Sequence, residues 1–194
     1  MQGYVPQVVS SRRPLVFWLV SAAGVSLLVS LIVVAPVTAA TGHSEVAQGI
    51  YRAFGTLCHQ IPERSYFIDG HKLAVCSRCT GLYAGFAFTL LMYPLIRSLR
   101  NATTPPLIFL VLATIPLAID FSLTFFGVWE NTHTSRLLTG VLLGSAAVFY
   151  VMPGIVELSL RAKPSRPAPV TFTLASPETI AAAPSDYSAP ERRI

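Results

Sequence analysis

Positions 15–35 read LVFWLVSAAGVSLLVSLIVVA, with no ionisable side chain. No other feature constrains the fold as strongly. A helix of about 20 apolar residues matches a hydrocarbon core about 30 Å thick, and it satisfies its own backbone hydrogen bonds there. Further runs at 80–99, 106–128 and 134–157 repeat the pattern with few charges. Apolar residues make up 53% of the chain and charged residues 12%, which is not the balance of a soluble domain. The expected fold is an all-α integral membrane protein with four transmembrane helices.

The first run has a rival reading as a cleaved signal peptide, because VTA precedes Ala40 and SRRPLV faintly resembles a twin-arginine signal. Its length exceeds the usual apolar core of about 7–15 residues, so a retained span is expected. In the second span Gly81 and Gly85 stand four apart, as do Gly140 and Gly144 in the fourth, a spacing that permits close helix contact in lipid. Pro116 in the third span predicts a kink. The segment 161–194 is rich in Pro, Ala, Ser and Thr, too poor in large apolar groups to offset its ordering entropy, and is expected to be disordered.

The net charge of +5 does not point to nucleic acid, because the basic residues are scattered beside the spans rather than gathered on one amphipathic face. The expected partner is the lipid bilayer, with the glycine faces also open to a neighbouring membrane protein. Arg12 and Arg13, then Arg97 and Arg100, then Arg161, Lys163 and Arg166 fall on one side of a four-span chain. The positive-inside rule makes that side cytoplasmic, with both termini (1–14 and 161–194) there and the loop 36–79 extracytoplasmic in the plasma membrane. Arg52, Arg64, Lys72 and Arg78 in or beside the outer loop oppose this orientation in part.

All three cysteines lie in or beside that loop. Cys76 and Cys79 form C-x-x-C at the mouth of the second span, and Cys58 with His59 lies upstream of a connector holding His71. Cys58, Cys76 and Cys79 with His59, or His71 as substitute, make a Cys3His set suited to tetrahedral zinc, with iron and other soft metals also compatible. Haem c attachment is excluded because Thr80, not histidine, follows Cys79. Two other readings stay open: a redox thiol pair with Arg78 favouring the thiolate, and a structural disulfide.

Arg64 and Arg78 either form ordinary solvated pairs or hold an anion or a lipid headgroup. Asp120, in the outer half of the third span, needs a partner, and Arg136 at the start of the fourth is the expected one. Glu130 and His133 lie in the turn between them, on the face that carries the cysteines.

The stretch CHQIPERSYFIDGHKLAVCSRCTGLYAG, with PLAID and TSRLLTGVLLG further on, closely resembles the small membrane proteins grouped as domain of unknown function 2085. The resemblance runs from about Cys58 to Gly144. It implies signature positions at Cys58, His59, Pro62, Arg64, Ser65, Cys76, Arg78, Cys79, Thr80 and Gly81, then at Asp120, Arg136, Thr139 and Gly140. Phe121 and His133 depart from the later pattern, where glycine and asparagine are expected. The family carries no assigned activity. The leading expectation is therefore a membrane protein with a Cys3His metal site. The alternatives are a quinone-linked thiol-disulfide oxidoreductase, by analogy of architecture, and a non-catalytic subunit of a membrane complex.

Overall fold

The structure is a computed structural model that describes residues 13–161. The terminal expectations, a cytoplasmic segment at 1–14 and a disordered tail at 161–194, lie almost wholly outside the described residues. Helix α1 covers Arg13–Ala40, α2 Ser44–Gly55, α3 Ser77–Ile96, α4 Leu107–Phe125 and α5 His133–Arg161. A 3-10 turn at Pro62–Arg64 and a hairpin of β1 (Phe67–Ile68) and β2 (His71–Lys72) lie between α2 and α3. Four of the helices, α1, α3, α4 and α5, are long and apolar enough to cross a membrane.

Helices α3 and α5 form the spine, because each gives up side chains where they cross. A Cβ added at Gly85 would stand 2.5 Å from the Val141 carbonyl oxygen, and one at Gly81 would fall on the Leu137 carbonyl. Gly140 and Gly144 reciprocate against the Arg78 and Leu82 carbonyls. The two glycine pairs thus face each other's helix backbone, as their spacing predicts. Below this seam Leu90, Tyr93, Val148 and Met152 form a buried core with Ala22 of α1. Helix α4 buries only Ala113 and turns large apolar side chains outward, as a lipid-facing helix does.

Two prolines inside spans serve the tertiary structure. Pro94 in α3 has no N–H for the Leu90 carbonyl four residues earlier, and Trp18 Nε1 of α1 donates to that oxygen at 2.8 Å. Pro36 likewise frees the Ile32 carbonyl of α1, which accepts from the Ala74 backbone N–H of the loop at 3.3 Å. Helix α1 therefore runs on through Pro36 to Ala40, past the expected end of the span at 35, and the carbonyl that proline frees becomes a docking point for the cysteine loop.

The loop carries a helix and a hairpin that the sequence reading did not place. In α2, Ala47 and Phe54 are buried and Ile50 and Tyr51 pack beside them, a one-sided apolar stripe that seats the helix on α1. The hairpin turns on Asp69 and Gly70, both at positive φ (49° and 77°), the two-residue Asp-Gly turn that matches strand twist.

Candidate metal centre and arginine cavity

Cys58 lies just beyond the C-terminal end of α2, with its N–H on the Phe54 carbonyl at 2.9 Å. Gln60 takes a left-handed turn (φ 51°) that folds the chain back beneath it. Three bonds then tie this turn, α2 and the hairpin together: Gln60 Nε2 to the Tyr51 carbonyl at 2.7 Å, Lys72 Nζ to the Gln60 carbonyl at 2.7 Å, and Tyr51 OH to the Lys72 carbonyl at 2.5 Å. Leu73, Ala74 and Val75 are buried against α1 and deliver Cys76 to the N-cap of α3. Cys79 follows one turn into that helix.

The Sγ atoms of Cys58, Cys76 and Cys79 all lie within 4.8 Å of one another. All three are free thiols, Cys58 buried and the others partly so. The backbone N–H groups of Cys76 and Gln60 point at Cys58 Sγ, at 3.3 and 3.5 Å, and fix its position. A hydrogen bond from Cys79 holds the Cys76 thiol far below its usual range, at about 5, against the opposing effect of burial. His59 and His71 are exposed and are not part of the group, so among the described residues the close ligand set is three sulfurs without a histidine.

The geometry fits a thiophilic ion. Sulfurs about 2.3 Å from a shared tetrahedral centre stand about 3.8 Å apart, within the 4.8 Å limit of this group.

Arg78 lies between the two cysteines of the motif but points away from them, toward α4. Its Nη2 meets Asp120 Oδ2 at 2.5 Å, and its guanidinium lies 5.8 Å from the centre of the Phe121 ring. Asn131 Nδ2 donates to the same Oδ2 at 2.5 Å and to the Asp120 carbonyl at 2.6 Å, and Thr124 Oγ1 donates to Asn131 Oδ1. The expected Asp120–Arg136 pair is therefore corrected: the carboxylate turns to α3 and to the α4–α5 turn. The glycine seam brings the starts of α3 and α5 so close that Arg78 and Arg136 share one space, and the single carboxylate there takes Arg78.

Arg64, Arg78 and Arg136 line that space together with Thr124, Asn131 and Phe121, around a cavity of about 380 Å³. The buried Nε atoms of Arg78 and Arg136 have no hydrogen-bond partner among the described residues.

His133 joins the site's elements from another side. Its Nδ1 lies 2.7 Å from Ser77 Oγ, its ring packs on Tyr66 at 5.4 Å, and its carbonyl accepts from Tyr66 OH at 3.2 Å. Ser77 Oγ also donates to the Arg64 carbonyl at 2.9 Å. A serine has one proton to give and a carbonyl can only accept, so both contacts are satisfied when His133 carries its proton on Nδ1.

Residues 58–150 match the family described as predicted membrane protein, domain of unknown function 2085. The chain is 38% identical over 109 residues to an uncharacterized protein of Methanocaldococcus jannaschii, covering 56% of this chain and 70% of that one. It is 37% identical over 91 residues to an uncharacterized protein of Methanothermobacter thermautotrophicus, covering 47% of this chain and 80% of the relative. No solved structure matches it.

Proposed function

The chain belongs to the family of membrane proteins grouped as domain of unknown function 2085, and on that footing we propose that it carries a metal centre, zinc or iron, on Cys58, Cys76 and Cys79. One observation carries the reading: three sulfurs from two separate stretches of chain converge within 4.8 Å. The loop that brings them together is held by hydrogen bonds to α1, α2 and the hairpin, so the convergence is built into the fold. The fourth position is open to water or substrate in this arrangement, and His59, ahead of His71, is the side chain that a shift of the loop would bring to it. Metal binding would pin the loop to the mouth of α3 and add to its folding energy. The loop lies on the extracytoplasmic face of the plasma membrane, a placement supported by Arg97 and Arg100 in the short turn between α3 and α4.

Elemental analysis of detergent-purified protein with a native thiol count tests this. About one zinc or iron per chain, lost in each of Cys58→Ser, Cys76→Ser and Cys79→Ser, is the expected result. Full loading of the triple variant would overturn it. A metal-free protein with an oxidised Cys76–Cys79 pair and bound quinone would instead favour the thiol oxidoreductase.

A further inference from the structure

The thiol centre leaves the arginine cavity unused, and we propose that this cavity binds a phosphate group, presented by a lipid headgroup or by a soluble phosphate.

Charge is the first argument. Three guanidinium groups face the cavity and one carboxylate answers them, leaving two positive charges in excess. Asp120 Oδ2 is already shared by Arg78 and Asn131. Neither Arg64 nor Arg136 has a carboxylate partner among the described residues. The half-buried Arg136 has no carboxylate to offset its partial desolvation, and among the described residues the buried Nε atoms of Arg78 and Arg136 lack partners, which marks where hydrogen bonds are missing.

Shape is the second argument. A guanidinium fork matches two oxygens of one anion. A carboxylate offers oxygens for one fork, whereas a phosphate monoester has three free oxygens and up to two charges, which suits three arginines in excess by two. The volume of about 380 Å³ falls within the roughly 300–1,000 Å³ of small-molecule sites and exceeds what a bare ion fills. Phe121 and Phe125 form an exposed aromatic wall beside the arginines, where the apolar part of a phosphate ester would rest.

The proposal does not depend on the metal centre. Its test uses full-length protein in detergent, stripped of lipid, with two separate titrations: phosphatidic acid, a lipid that ends in a phosphate monoester, in mixed micelles, and inorganic phosphate. Thermal stabilisation and lipid retained in native mass spectrometry are the readouts. The expected result is a saturable response to at least one probe, weakened about tenfold or more in Arg64→Gln and in Arg136→Gln, where a charge-assisted contact is lost. Arg52→Gln, on the exposed side of α2, should respond as the parent does. A response to phosphatidic acid alone assigns the lipid source, and a response to inorganic phosphate assigns the soluble one.

Ligand-free Arg136→Gln should melt at or above the parent, because it removes an uncompensated charge. A lower melting point with unchanged probe affinity would make Arg136 a packing residue and overturn the proposal, as would no saturable response to either probe. Metal content should not change in either arginine variant, so this result and that of the thiol centre are read separately.

Discussion

At the scale of the residue, Asp120 organises the end of the bundle that carries the cysteines, because its carboxylate and carbonyl gather Arg78, Asn131 and Thr124 into one network. Asp120→Asn should cost about 1.5–3 kcal/mol, the range for a hydrogen bond to a charged group, seen as a lower melting temperature in detergent. A double-mutant cycle should give strong coupling of Asp120 to Arg78 and weaker coupling to Arg136; the reverse order would restore the pairing expected from sequence alone. That an aspartate in a span needs a partner is legible in the sequence, but which arginine it chooses is not. The choice depends on how α3 and α5 are rotated, and the glycine contacts that set the rotation are tertiary. The cysteines show the same division. The C-x-x-C and upstream Cys58 announce a site, whereas the exclusion of His59 and His71 from the close group follows from the fold of the loop.

At the scale of the element, the four spans are legible because hydropathy is a local property and each run is long enough to decide alone. Their ends are less so: α1 passes through Pro36 because a loop N–H supplies the hydrogen bond that proline leaves open, and no local rule reports that. Helix α2 and the hairpin were legible in principle, through the stripe of Ala47, Ile50, Tyr51 and Phe54 and through the Asp-Gly pair. Both sit in a segment whose polarity reads as loop. The glycine spacing gives the clearest test at this scale. Gly85→Val must push a side chain into the α5 backbone and should cost more than about 3 kcal/mol, since two helix backbones cannot yield as a core side chain can. Gly24→Ala, with nothing within 4 Å of the added carbon, should not lower the unfolding free energy and should raise it by at most about 1 kcal/mol, the gain of alanine over glycine inside a helix. Trp18→Phe removes the donor to the Leu90 carbonyl and should cost about 1 kcal/mol in detergent unfolding, in the range of interhelical bonds in membranes.

At the scale of the whole molecule, the thiol centre and the arginine cavity are both mounted on the first turn of α3, Cys76 and Cys79 turned toward α1 and α2 and Arg78 toward α4. An impermeant thiol reagent applied to intact cells after chelation should label Cys76 if that turn faces the cell exterior; labelling only in inverted vesicles would reverse the orientation. The glycine seam also has a consequence for biosynthesis. It joins the second span to the fourth, so a chain emerging from the ribosome inserts α3 before its closest neighbour exists. The socket for the loop, the Ile32 carbonyl, is ready from the moment α1 is helical, but the seam must wait for the last span to be made. A nascent chain stopped before His133 would hold its cysteine loop against α1 and still present a bare glycine face to lipid, making release of α5 the step that completes assembly.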